Sequence, residues 1–171
     1  GQTLFYVVFG LLTALIAVAF IRLLPLSEKL FARLPVPKLF LPLTGAILLG
    51  GLGAAWISLN KSGSGYPPFF GAGYAPTREL LNRTLYEPAL RGANSDMLWI
   101  AGGICVALLL KMIATCLTLG SGGAGGLFAP SLLLGAMSGG AFGMFLHAVG
   151  FTNAPPPTHL ALVGMAAMLA S

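Results

Sequence analysis

Four stretches of this chain are long, apolar and nearly free of charge, and they decide what it can fold into. Residues 1–21 carry no charge, residues 39–60 carry none, Met97 to Leu119 carries only Lys111, and Leu127 to Val149 carries none. At ~1.5 Å per residue, about twenty residues cross the ~30 Å of a hydrocarbon core, and Leu4 to Leu24 is long enough to do so. Of the 171 residues, 57% are hydrophobic and 8% are charged, whereas soluble domains carry about a quarter charged residues. That leaves too little polar surface to face water. The expectation is an all-α, polytopic integral membrane protein in contact with the lipid bilayer.

The net charge is +5, from nine Lys and Arg against four Asp and Glu. These charges stand singly between apolar spans rather than on one face, so they read as loops beside membrane helices. No nucleic-acid partner is expected. Cys105 and Cys116 fall in one expected helix, about three turns and roughly 16 Å apart, too far for a disulfide. Both read as buried thiols. The chain starts at Gly1 without a basic leader and stops at Ser171 inside an apolar run. A fragment of a longer protein is the expectation.

In order, the first span is expected to end at Arg22 and Pro25, with residues 22–38 a basic loop stiffened by Leu34-Pro35-Val36-Pro37. The span over 39–60 offers Gly45, Gly50, Gly51, Gly53, Ala54 and Ala55 as a small-residue face for close helix packing. Residues 61–95 are the one extended polar region. Within it, Thr77 to Leu90 reads as a short amphipathic connector on the membrane surface. Asn94-Ser95-Asp96 offers caps for a helix over Met97 to Leu119. Lys111, the single charge in that helix, would snorkel or bind nearby helix C-terminal carbonyls, with direct anion contact the alternative. In Leu127 to Val149, Gly135, Gly139 and Gly143 recur every four residues and predict tight helix packing. His147 reads as an interfacial or packed histidine. Pro155-Pro156-Pro157 closes a loop, after which Thr158 would cap a last segment, His159 to Ser171.

The chemistry concentrates in Gly120-Ser121-Gly122-Gly123-Ala124-Gly125-Gly126-Leu127-Phe128-Ala129-Pro130, where five of seven residues from 120 to 126 are glycine. Glycines tolerate positive φ and let bare N–H groups approach a bound group. Pro130 falls in the first helical turn, where its missing N–H does no harm. The first N–H groups of a helix lack internal partners and carry the positive end of the macrodipole. A glycine loop opening onto such an end is a site for an anion held by backbone amides.

At these residues the chain resembles a family. Gly120-Ser121-Gly122, Gly125-Gly126-Leu127-Phe128-Ala129-Pro130 and Leu134-Gly135-Ala136 look like the GSGxxGGxFxP signature of the CLC chloride channels and chloride/proton antiporters. Lys111, Thr115, the Gly-Ala-Phe-Gly at 140–143 and Gly164-Met165-Ala166-Ala167 fit the same pattern. The resemblance implies a CLC-type inverted-repeat bundle with tilted and broken helices. Residues 1–24 would be the last helix of the first half, 25–38 a linker, and 39–171 most of the second half. It implies a homodimer, a multi-pass place in the cell membrane, and chloride as the transported ligand with no cofactor. It also implies that the backbone N–H groups of Leu127 and Phe128 hold the anion and that Gly126 permits the approach. Gly122, Gly125, Ala129 and Pro130 would support the site.

Other readings of the loop are weaker. Gly120-x-Gly122-x-x-Gly125 matches a dinucleotide fingerprint, but no strand precedes it and no acidic residue follows Asp96. A phosphate loop would need Gly-Lys-Ser/Thr, which is absent. No catalytic residues and no metal ligands are expected, because the sequence has no Cys/His cluster or paired carboxylates. A transporter of another small anion, or a structural membrane subunit without an ion site, stays open at this point.

Overall fold

A computed structural model describes residues 3–59, 67–82, 86, 94–151 and 153–170. Its helices are α1 (Thr3–Ala32), α2 (Leu41–Leu59), α3 (Tyr74–Leu81), α4 (Asn94–Gly120), α5 (Phe128–Ala148) and α6 (Pro157–Leu169). A 3-10 turn, Lys38–Phe40, leads into α2. There is no strand among the described residues. Four helical segments, all but α3 and α6, are long and apolar enough to cross a membrane. The chain is an all-α, multi-pass integral membrane protein, as its composition requires.

The fold is built around α5. Its Gly135 meets Gly164 of α6, Gly139 meets the Leu160 carbonyl, and Gly143 meets Pro157. A Cβ at Gly143 would lie 2.6 Å from Pro157 Cα, closer than packed carbons approach. The glycine ridge therefore does what its spacing predicts: it lets two backbones touch, which in lipid replaces the hydrophobic drive as a source of packing energy. On another side of α5, Leu133, Leu134 and Met137 enter a core shared with Leu108 and Met112 of α4.

Hydroxyls inside the spans are hidden by their own helices. Thr13 donates to the Phe9 carbonyl at 3.0 Å, Thr115 to Lys111 at 2.9 Å, and Ser138 to Gly135 at 2.8 Å. Such back-bonding removes a donor from the hydrocarbon without a partner helix. No buried side-chain nitrogen or oxygen lacks a partner among the described residues.

Several expectations are corrected. The loop over 22–38 begins only after Ala32, because α1 runs through Arg22 and Pro25. Pro25 removes one backbone bond, but the turns beyond it are held by buried Phe31 and by Ser27, which packs on Gly120. The residue 24/25 boundary thus falls inside a helix. In α2 only Gly45 and Gly53 are buried, against Ser121 and Phe70, while Gly50 and Gly51 meet nothing within 4 Å.

The amphipathic segment is also corrected. It starts earlier, at Tyr74, and is no surface connector: α3 packs on α5, with Leu80 and Tyr86 buried in the core. Residues 83–85 and 87–90 of that expected segment lie outside the described residues. The next helix begins at Asn94, ahead of the expected start at Met97. Cys105 is exposed, and only Cys116 is buried; both are free thiols. Thr158 does not cap the last helix but lies buried inside it, since Pro157 occupies its first position. Proline suits that position because its φ is already helical and its missing N–H is not needed there.

Candidate functional site

The glycine stretch divides into two halves with different work. The first half ends α4. Gly122 donates to the Leu119 carbonyl at 2.9 Å and Gly123 to the Thr118 carbonyl at 2.9 Å, with Gly122 at φ +82°. That pair of bonds around a left-handed residue is a Schellman motif, the commonest way a helix satisfies its last carbonyls. Gly122 is the only positive-φ glycine of the stretch. It turns the chain out of α4.

The second half opens α5. Leu127 stands at the N-cap with φ −86° and ψ −22° and makes no side-chain cap bond. Phe128 and Ala129 are the first helical residues, and Pro130 follows them. The first backbone bond of the new helix runs from Ser131 N–H to the Leu127 carbonyl at 3.0 Å. The Ser131 hydroxyl donates to that same carbonyl. The N–H groups of Leu127, Phe128 and Ala129 precede this bond and have no intrahelical partner.

This uncapped helix end faces a cleft of about 700 Å³. One wall is Ala124, Gly125, Gly126, Phe128, Ala129 and Pro130. The floor is the face of α4 that carries Lys111, Ala114, Thr115 and Thr118. Phe69, Phe70, Gly71, Ala72 and Tyr74 form a further wall, and Leu49 of α2 also lines the cleft. Irregular backbone at membrane depth is tolerated where it lines a cavity, and the segment between α4 and α5 does so. Phe128 is 63% exposed and Leu127 is 43% exposed. A Cβ on Gly126 would meet nothing within 4 Å, so its bareness serves the open side rather than packing.

Of the expected site residues, Gly125, Gly126, Phe128, Ala129 and Pro130 line the cleft. Leu127 sits beside it at the helix start, and Gly122 belongs to the end of α4. Among the described residues, Lys111 is the one cationic side chain lining the cleft. The residue is 3% exposed, and its ammonium donates to the Phe69 carbonyl at 3.1 Å and the Gly71 carbonyl at 2.7 Å. It therefore binds loop carbonyls, not the helix C-terminal carbonyls expected from the sequence.

The sequence carries no site signal for this wall beyond the turn-forming composition of Gly71-Ala72-Gly73-Tyr74; the structure gives Gly71 φ +67° and Gly73 φ +86°. Among the described residues no group of His, Cys, Asp and Glu could hold a metal.

A family model described as voltage gated chloride channel matches residues 1–171. The chloride channel protein CLC-f of Arabidopsis thaliana is 35% identical over 172 residues, covering 97% of this chain and 20% of that protein. A ClcB-like protein of Ralstonia nicotianae is 29% identical over 170 residues, covering 99% of this chain and 34% of that protein. The H(+)/Cl(-) exchange transporter ClcA of Salmonella typhimurium is 40% identical over 99 residues, covering 51% of this chain and 20% of that protein. The chain thus spans between a fifth and a third of these relatives' length. No solved structure matches it. With a glycine loop that ends one spanning helix and opens the next uncapped onto a cleft, and with the family model matched along its whole length, the chain belongs to the voltage gated chloride channel family.

Proposed function

We propose that this chain carries the anion site of a transmembrane chloride transporter. The observation that carries the reading is the uncapped N-terminus of α5 facing a cleft that Lys111 also lines. The N–H groups of Leu127 and Phe128 hold the chloride, Gly126 permits its approach, and the Phe128 ring lines the path. Gly125, Ala129 and Pro130 shape the helix start, and Gly122 sets the direction in which the chain leaves α4. Amide dipoles suit this task, because an anion must be held firmly enough to shed water and loosely enough to leave.

The protein acts in this reading as a homodimer that moves chloride and catalyses no reaction. Relatives of both transport types support the substrate: one is named a chloride channel and another an H(+)/Cl(-) exchange transporter. The test is chloride efflux from liposomes holding the full-length protein, with external pH recorded. Chloride efflux coupled to proton uptake identifies an exchanger, and rapid efflux without proton movement identifies a channel. A folded preparation that moves no chloride overturns the proposal and favours another small anion.

A further inference from the structure

Lys111 has a part to play that the anion site alone does not require. A charged ammonium inside a membrane is costly and needs partners. It has three N–H donors, and two of them go to the carbonyls of Phe69 and Gly71, forty or more residues away along the chain. Phe69 and Gly71 line the same cleft as the start of α5. The turn that presents them depends on positive φ at Gly71 and Gly73, so neither carbonyl belongs to a helix. The Gly73 carbonyl, by contrast, is taken by Thr77, whose N–H donates at 3.0 Å and whose hydroxyl donates at 2.7 Å.

Without the ammonium, two carbonyl oxygens would turn their negative ends toward the space where an anion sits. With it, the oxygens are bound and the wall carries a positive charge. The same two bonds tie the wall to α4 and so set how far it stands from Gly125–Pro130. The aromatic packing of the wall does not need Lys111. Phe69 meets Trp56 edge-on at 5.8 Å and Phe70 at 5.1 Å, and Phe70 covers Gly53.

Resting on the chloride-site reading above, we propose that Lys111 is a positioning residue. By binding the Phe69 and Gly71 carbonyls it masks them from the anion and fixes the width of the cleft, and so sets which anions pass.

The test reconstitutes the full-length protein in liposomes and measures efflux of chloride and of the larger thiocyanate across a concentration series. Wild type, Lys111→Met, Lys111→Arg and Gly71→Ala are compared, with elution profile and melting temperature as checks of folding. Losing a charge-assisted bond to each carbonyl lowers the apparent chloride affinity of Lys111→Met by about tenfold or more, and its thiocyanate-to-chloride ratio rises. Lys111→Arg, whose fork can still reach two carbonyls, restores both. Gly71→Ala keeps the charge but strains the turn, so the ratio rises while the charge is unchanged; it carries the test if Lys111→Met fails to fold.

Three results overturn the proposal: a wild-type ratio in folded Lys111→Met and in Gly71→Ala, one common factor of loss for both anions, or a defect in Lys111→Arg as deep as in Lys111→Met. A wild type that moves no anion overturns the chloride-site reading itself, which keeps the two failures distinct.

Discussion

Gly135 of α5 and Gly164 of α6 face each other so closely that a Cβ on either would fall on the other's carbonyl oxygen. The backbones of the two helices are in contact at this point, and nothing larger than hydrogen fits between them.

Gly135→Ala and Gly164→Ala should each destabilise the fold by about 3 kcal/mol, the upper end of ordinary overpacking costs, because backbone cannot move aside as a side chain can. Gly50→Ala and Gly102→Ala are the controls, since a Cβ at either position meets nothing within 4 Å. Relieving glycine's entropy cost in a helix interior should leave these two unchanged or more stable by about 0.5–1 kcal/mol. Melting temperatures in detergent separate the two pairs.

The two halves of the glycine loop should respond differently to the same substitution. Gly122→Ala puts a Cβ at φ +82° and should cost about 1–2 kcal/mol of stability. Gly126→Ala has open space around it and should fold as the parent does. On the chloride-site proposal its methyl group would enter the anion's approach, so chloride efflux should fall while the melting temperature holds. A thermal melt and a liposome efflux assay on the same preparations check both.

Tyr86 is buried and donates to the Leu80 carbonyl at 2.8 Å. Burial pushes its phenol above the ordinary value of 10.0. Its folded-state value lies above its unfolded one, so the stability it contributes is fully present below about pH 10 and is lost as pH rises beyond that. Tyr86→Phe should cost about 1 kcal/mol at neutral pH by removing the bond. The deficit relative to wild type should shrink above about pH 10, because the wild type then loses the same contribution. Melting curves of both proteins from neutral to strongly alkaline pH give that difference free of other titrations.

Pro25 lies inside α1, where it lacks the N–H that would bond the Ile21 carbonyl. Pro25→Ala should restore that bond and leave the melting temperature unchanged or higher. A loss of folding would instead mean that the helix needs proline at this position. Circular dichroism and melting of the variant decide this.

Composition and spacing made much of the fold legible. Apolar runs without charge can only become spanning helices in lipid, so the four long segments were readable from residue type alone. The ridge of Gly135, Gly139 and Gly143 was readable because a helix brings every fourth residue onto nearly one face. The start of α5 was readable for a similar reason: glycines ending at Pro130 leave few conformations except a loop feeding a first turn.

What the sequence by itself determined is thus the membrane class, the spans, and the glycine stretch that ends one helix and opens the next, all set by local composition and short-range spacing. What only the tertiary structure decided depends on residues far apart in the chain. Pro25 does not end α1, because Ser27 and Phe31 find partners that hold the later turns. Gly122 and Gly126 look alike in sequence, yet one caps a helix and the other faces a cleft. Lys111 demands a partner, but that the partner is a wall built from Phe69 and Gly71, forty or more positions earlier, is set by packing. Local physics fixes the elements, while the long-range contacts that close the cleft carry no signature until the helices are assembled.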